Sequence, residues 1–307
     1  MRIIDSKVEL ISEKDPLKKI EIAGRTCYRS ELVITDGSAE KFFNRLVVNH
    51  HYAMFEHAFF VFRVPYAVYM AARAYKHLNA TEAENVGGDA KRWLVSGNLR
   101  AIKESGFDAL TGAFQDNIAL LLYCKPDYRR WKGTGGTATT PVDFEALPDK
   151  TPEEIAAHRY TTMRFTTDRG VSHELVRHRL FSFAQESTRY CNYTKAQFSC
   201  MQFIKPAGYD YWNTDMQEFT RLAFEDAEKY YNRLIACGAS AQQARAVLPN
   251  GLKTEVIVTG NDAEWQHFFN LRSRGTTGAP HPDMKIVADQ ALALYQEIYP
   301  DCAKSAS

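Results

Sequence analysis

The chain has 307 residues, 45% of them apolar and 12% aromatic, with a formal net charge of +1. That composition builds a core and excludes intrinsic disorder, and the near-neutral charge excludes wholesale nucleic-acid binding, so any anion site must be local. Cys27, Cys124, Cys191, Cys200, Cys237 and Cys302 form no C-x-x-C pair, against a zinc ribbon, a redox dithiol or a dense disulfide framework.

The length allows about two domains. The first residues carry no apolar run of the signal-peptide kind. No uncharged apolar stretch approaches the roughly 20 residues that cross a bilayer. The expected compartment is a reducing cytoplasm, with no membrane partner.

In chain order, residues 7–12 predict a strand. Pro16 opens a helix to Tyr28 with Leu17, Ile20, Ala23 and Gly24 on one side. Ser38 is placed to cap a helix carrying Phe42, Phe43, Leu46 and Val47. Residues 58–64 are aromatic and β-branched and predict a buried strand ending near Pro65. Residues 66–157 differ in texture: 85–89 is turn-like, 133–141 is rich in Gly and Thr, and helical patterns cover 98–105 and 109–124. This segment reads as a largely helical inserted subdomain, and nothing recurs at a fixed period.

Residues 161–167 predict a further strand. Gly170-Val171-Ser172 then starts a helix with Val171, Leu175 and Val176 inward. Residues 197–204 predict a strand ended by Pro206. A long helix over 216–236 repeats Phe219, Leu222, Ala223, Tyr230 and Leu234 at spacings of three and four, with Gly238 to end it. Ser240 caps a short helix before Pro249. Residues 252–259 predict a strand, and Asn261 with Glu264 forms a capping box for a helix through Arg272. Pro282 suits the first turn of a last helix, with Ile286, Ala293, Leu294 and Ile298 inward. Strands and helices do not alternate strictly. The expected class is therefore α+β, an antiparallel or mixed sheet flanked by helices.

The densest chemistry lies at Arg177-His178-Arg179, followed by Gln185, Glu186, Ser187, Thr188 and Arg189. If the preceding helix continued to Leu180, Glu174 would sit one turn from His178, and the triplet would fan out at about 100° per residue. Arginine forks suit a phosphate or a pyrimidine carbonyl edge. The alternative is a set of surface ion pairs with Glu174 and Glu186.

The triplet, the seven residues after it and Ser187 resemble the signature of flavin-dependent thymidylate synthases. Residues 168–179 and 185–193 resemble that family's motif region in its longer form. The resemblance covers roughly 1–64 and 159–300. It implies one flavin- and nucleotide-binding catalytic domain from 1–65 and 158–307, with 66–157 inserted. By this resemblance Arg177, His178 and Arg179 contact FAD. Ser187 and Arg189 bind dUMP, and Glu174, Gln185, Glu186 and Thr188 line the nucleotide site. His51 and Glu56 match a His-then-Phe-Glu-His segment at the flavin site. Arg245, before Val-Leu-Pro, matches an arginine aimed at dUMP. Arg272, in Asn-Leu-Arg, matches one that orients substrate ring and flavin. Asn261, His267 and His281 fall at flavin contacts, although Ala263 and His267 stand where simpler members carry Arg and Asn. Arg272, Arg177 and Ser187 are the residues assigned to catalysis, Ser187 by binding and not as a nucleophile.

The resemblance further implies reductive methylation of dUMP to dTMP. Methylenetetrahydrofolate is the one-carbon donor and NADPH the reductant, in a homotetramer with shared active sites. No resident metal is expected, since the gap from His51 to His57 is neither i,i+4 nor a known zinc spacing. Residues 92–100 read as strand, tight turn and helix start, and are a candidate folate contact through Arg100. Two rival readings arise from the residues alone. Tyr128, Arg129, Arg130, Trp131 and Lys132 interleave basic and aromatic groups as single-stranded nucleic-acid platforms do. His50, His51 and His57 could serve a metal-dependent nucleotide hydrolase.

Overall fold

A computed structural model describes residues 1–83, 92–106, 108–111, 114, 118–124, 140–141, 156–195 and 200–300. The turn expected at 85–89, nearly all of 133–141, residues 128–132 and the start of the strand expected at 197 lie outside them.

Two four-stranded sheets and one small parallel pair organise the described residues. Strands β1 (Arg2–Ile4) and β2 (Lys7–Leu10) lead into helix α1 (Pro16–Tyr28), which starts and ends where the sequence predicts. Asp15 accepts from the Lys18 N–H at 2.9 Å, Pro16 presets the first turn, and Arg29 closes the helix at φ 52. Helix α2 (Ser38–Val48) is capped by Gly37, not by Ser38; the Ser38 hydroxyl instead donates to Glu21 at 2.8 Å.

Strand β3 (Phe59–Val64) and helix α3 (Tyr66–Ala72) precede β4 (Asn79–Ala83) and β5 (Arg92–Asn98). Strand β5 runs straight into α4 (Leu99–Ser105), without the expected tight turn, because Asn98 caps that helix through the Ala101 N–H at 2.8 Å. The helical pattern of 109–124 resolves into α5 (Asp108–Thr111) and α6 (Ile118–Cys124), and Thr140–Pro141 adds β6. The strands stand in the order β4-β5-β3-β6. Their core is continuous with that of α1 and α2, from Ile20 and Phe43 to Phe62, Leu99 and Tyr123. Among the described residues of 66–157 helices outnumber strands, and the segment shares a sheet with what precedes it: β3 pairs with β5 from Phe59↔Asn98 to Val64↔Trp93. A hydrophobic strand with two free edges must pair, and the partner strands β5 and β6 lie within 66–157.

Strand β7 (Tyr160–Asp168) leads to helix α7 (Arg169–Leu175) and strand β8 (Ser182–Gln185), which the sequence reading missed. Asp168 caps α7 through the Val171 N–H at 2.8 Å, and Val171 and Leu175 are buried. Val176 is 38% exposed, because the helix stops before it. Strand β9 (Gln202–Ile204) pairs in parallel with β1. Helix α8 (Thr214–Ala236) is followed by α9 (Ala241–Ala244), whose Ser240–Gln243 capping box is present. Strand β10 (Lys253–Asn261) enters α10 (Asp262–Arg272) through the predicted Asn261–Glu264 box, and α11 (Pro282–Ile298) ends the described fold. The second sheet is β2-β7-β10-β8.

Two helices turn a face other than the expected one inward. In α8 the buried residues are Phe224, Ala227 and Tyr231, whereas Phe219 is 69% exposed and Leu222, Tyr230 and Leu234 are also at the surface. In α11 the buried row is Met284, Val287, Ala288, Ala291 and Tyr295, with Ile286 exposed and Ala293 outward. Both helices carry two apolar rows, and periodicity alone cannot choose between them. Behind the second sheet, Phe165, Phe268 and Phe269 are fully buried. Each such burial stabilises the fold by about 1.5–3 kcal/mol.

The two four-stranded sheets share one course of elements, without a fixed period in the sequence. Strand β3, helix α3, strands β4 and β5 and helix α4 follow the same course as strand β7, helix α7, strands β8 and β10 and helix α10. In both, the last-formed strand sits between the other two, antiparallel to each. The copies differ in loop length: β8 and β10 are separated by β9, α8 and α9, so no fixed period survives.

Candidate functional site

Helix α7 ends at Leu175, so Arg177, His178 and Arg179 project from the irregular connection to β8 and not from a helix face. His178 packs against Phe268, with ring centroids 5.0 Å apart. Its Nε2 accepts from Arg272 Nε at 3.1 Å, and Arg272 Nη1 donates to Glu174 at 3.0 Å. Burial, then the charges of Arg272 and His267, lower the His178 pKa to about 4. A neutral ring is what a nitrogen accepting from a guanidinium requires.

Arg177, His178, Arg179, Asn261, His267 and Arg272 line one cleft of about 580 Å3. Positions far apart in the chain thus converge as expected. Asn261 is held by its capping bonds, and α10 carries Ala263 and His267 one turn apart. Of the opposite wall only Asn98, in the 92–100 segment, was expected; the others are Phe59, Lys76, His77, Asn79 and Tyr160. Phe59 and Tyr160 stack with centroids 3.6 Å apart, and Asn79 Nδ2 donates to Tyr160 Oη at 2.6 Å. Burial raises Tyr160 to about 12, and burial raises Glu264 to about 7. The recurrence of Ser96-Gly97-Asn98 as Thr259-Gly260-Asn261 is the sequence signal that could have exposed this wall.

His51 and Glu56 lie elsewhere. His51 lines a second cavity of about 460 Å3 with Cys27, Tyr28, Tyr52, Arg100 and Tyr190. Glu56 pairs with Arg100 at 2.8 Å. One chain alone does not bring these two residues to the triplet. Of the segment weighed for folate, Asn98 faces the cleft and Arg100 the second cavity.

The segment after β8 borders that second cavity through Tyr190, which lies 5.4 Å from Tyr28 between ring centroids. Gln185 donates to Ser172 Oγ at 2.9 Å and Thr254 Oγ1 at 3.2 Å. The Ser187 N–H donates to the Cys27 carbonyl at 3.0 Å, and its hydroxyl accepts from the Arg189 N–H at 3.3 Å. Arg245 reaches Thr188 Oγ1 at 3.4 Å, and Arg189 is exposed. Glu186, expected at the ligand, is buried: Lys253 and Tyr193 donate to it at 3.1 and 3.0 Å, and Arg29 lies 3.6 Å away. A desolvated carboxylate needs those partners. His281 lines neither cavity; it caps α11, with its Nδ1 accepting from the Asp283 N–H at 3.3 Å.

Cys27 and Cys191 offer no activated sulfur. Burial comes first among the causes that push their thiols up to about 11 and about 12. The metal reading loses its geometry: His57 Nδ1 faces Thr259 Oγ1 at 2.9 Å inside the core, while His50 Nδ1 faces Tyr52 Oη at 2.7 Å. Among the described residues no three His, Cys, Asp or Glu are grouped to hold a metal ion. None of their helices is long and apolar enough to cross a membrane.

Comparison with known proteins follows the same two segments. The family model for thymidylate synthase complementing protein matches residues 9–82 and 144–301. The unmatched stretch holds β5 and α4. A flavin-dependent thymidylate synthase of Corynebacterium aurimucosum is 32% identical over 150 residues, 43% of this chain and 55% of the relative. One of Mycobacterium avium is 28% identical over 192 residues, 56% of this chain and 72% of the relative. One of Geobacter sulfurreducens is 38% identical over 108 residues, 34% of this chain and 43% of the relative. The chain spans about half the length of the curated relatives it matches. A solved UMP/dUMP methylase, PolB from Streptomyces cacaoi bound with 5-Br dUMP, is similar at a TM-score of 0.42 and 17% identity, over 97% of this chain and 93% of that one.

Proposed function

The chain belongs to the thymidylate synthase complementing protein family, and from that premise we propose that it converts dUMP to dTMP. The one-carbon donor is methylenetetrahydrofolate, the reductant NADPH, and the cofactor FAD. The observation that carries this reading is the convergence of Arg177, His178, Arg179, Asn261, His267 and Arg272 on one cleft.

The lining fits a flavin dinucleotide. Guanidinium groups suit its phosphates, the Phe59–Tyr160 stack suits a flat ring, and Asn261 and neutral His178 suit ring heteroatoms. When bound, the flavin supplies the hydride chemistry. The chain's own share is orientation and charge. Arg177 and Arg179 hold the cofactor. Arg272, fixed by Glu174 and His178, points a prealigned cation at charge that develops on the pyrimidine ring. Ser187, Thr188, Arg189 and Arg245 hold the nucleotide phosphate and sugar, with Gln185 beside them. Glu186 acts from behind, through Lys253 and Arg29.

His51 and Glu56 belong to the same active site by way of a neighbouring subunit. A homotetramer with shared sites is supported by two features. The expected site residues divide between two separate cavities, and α8 leaves Phe219, Leu222, Tyr230 and Leu234 in the open, as an interface does. The enzyme works in the cytoplasm.

The test is the visible spectrum of purified protein reconstituted with FAD. Flavin absorption bleached by NADPH under anaerobic conditions, with dTMP formed from dUMP and methylenetetrahydrofolate, is the expected result. Protein that retains no flavin and forms no dTMP would overturn the reading.

A further inference from the structure

The cleft lies where the two copies of the repeated unit meet, and corresponding positions of both copies line it. Phe59 opposes Asn98 across β3 and β5, as Tyr160 opposes Asn261 across β7 and β10. After each capping asparagine, the next N–H closes onto the residue before the strand: Leu99 donates to the Ala58 carbonyl at 2.9 Å, and Asp262 to the Arg159 carbonyl at 3.1 Å. Each copy also reaches into the other. His57 Nδ1 lies 2.9 Å from Thr259 Oγ1, and His158 Nδ1 lies 2.8 Å from Ser96 Oγ. Ser96 and Thr259 each stand two residues before a capping asparagine. Exchanged contacts of this kind define a twofold relation, and Phe59 and Tyr160 stack across it.

The connections from helix to strand, 73–78 and 176–181, are equal in length, and the helices before them have 7 residues each. Lys76 therefore occupies the position of Arg179, while Ala74 and Tyr75 occupy those of Arg177 and His178. Lys76 and Arg179 line the same cleft, as do Asn98 and Asn261. One copy keeps two arginines about a neutral histidine, and the other keeps a single cation at these three positions.

We propose that the first copy is a partial second half of the same binding site. Lys76 and Asn98 act on the ligand that Arg179 and Asn261 hold, and that ligand bears a diphosphate lying across the twofold. Two cations at equivalent positions on facing walls suit two linked phosphates, one taken by a fork and one by a point charge. The remaining Arg177, His178 and Arg272 break the symmetry and direct one end of the ligand toward α10. That the diphosphate belongs to FAD rests on the proposed function; the two-sided cleft does not.

The experiment measures FAD and, separately, ADP binding by calorimetry at low and high salt. The proteins are the full chain, Lys76→Ala, Lys76→Arg and Arg179→Ala. Lys76 is exposed, so its replacement leaves the fold intact. Lys76→Ala is expected to weaken both ligands by about tenfold, with a shallower salt dependence, and Lys76→Arg to restore them. Unchanged affinities in Lys76→Ala, beside a loss in Arg179→Ala, would overturn the proposal. Should the unmodified chain bind ADP in a Lys76-dependent way but not FAD, the two-sided site stands and the flavin reading falls. Binding of neither probe overturns both.

Discussion

Arg272 donates through Nε to the Nε2 of His178 at 3.1 Å, so a permanent cation sits against a ring that must stay uncharged. Burial and this neighbour hold His178 near a pKa of about 4. Replacing Arg272 with Leu removes the repulsion, and the His178 midpoint should rise toward its ordinary value in a histidine-resolved NMR titration. The same change should lower kcat/KM for dUMP by about a hundredfold, the scale for losing one prealigned donor. An unmoved midpoint would mean that burial alone sets the ring's charge.

Ser187 lies in the segment after β8, and Arg245, from the turn after α9, reaches Thr188 in that segment at 3.4 Å. Ser187→Ala and Arg245→Ala should each weaken dUMP binding by about tenfold or more, the scale of one or two lost hydrogen bonds. Flavin absorption should be retained. Calorimetry against dUMP on flavin-loaded protein separates the two effects, and equal dUMP affinity would remove these residues from the nucleotide site.

His57 and His158 are buried, and burial lowers both from 6.5 to about 4. Between those values the unfolded chain binds more protons than the folded one. Their contribution to stability is therefore complete above about pH 6.5 and falls as pH drops toward 4, by on the order of a few kcal/mol in total, opposed in part by Glu264, whose raised pKa acts in the other direction. Urea denaturation at pH 7.5 and pH 5 should show the loss, and His57→Gln should flatten part of the slope. A stability independent of pH over this window would contradict neutral burial of both rings.

Arg29 holds a left-handed conformation at φ 52 while pairing with Glu255 at 2.5 Å and lying 3.6 Å from buried Glu186. Its truncation leaves Glu186 to Lys253 and Tyr193, and Glu255 to Lys253 and the more distant Arg164. Arg29→Ala should cost about 3 kcal/mol, within the range for breaking a buried pair. Arg29→Gly, which accepts positive φ freely, should cost about 1 kcal/mol less. Equal losses in denaturant melts would show that the backbone carries no strain there.

Phe219 and Leu222 stand exposed on α8. The double change Phe219→Glu and Leu222→Glu should convert the assembly to a smaller species by light scattering while far-ultraviolet dichroism stays constant. Activity should fall with it, since His51 and Glu56 are proposed to serve a neighbour's site. An unchanged mass would free this face from assembly.

The sequence by itself determined the elements whose signals are local. Helix α1 begins at an Asp-Pro cap and α10 at an Asn-x-x-Glu box, because such hydrogen bonds close within a few residues. It also marked Arg177–Arg179, Asn261 and Arg272, which line one cleft, through motif residues that need no knowledge of packing. Only the tertiary structure decided the face that α8 buries, because a helix with two apolar rows is settled by whatever surface it meets. Only pairing between strands distant in the chain put Lys76, Asn98 and Phe59 in the cleft with the triplet, and left His51 in another cavity with Glu56 paired to Arg100. Those contacts arise from complementary surfaces separated by scores of residues, and loops of unequal length hide the repeat that built them.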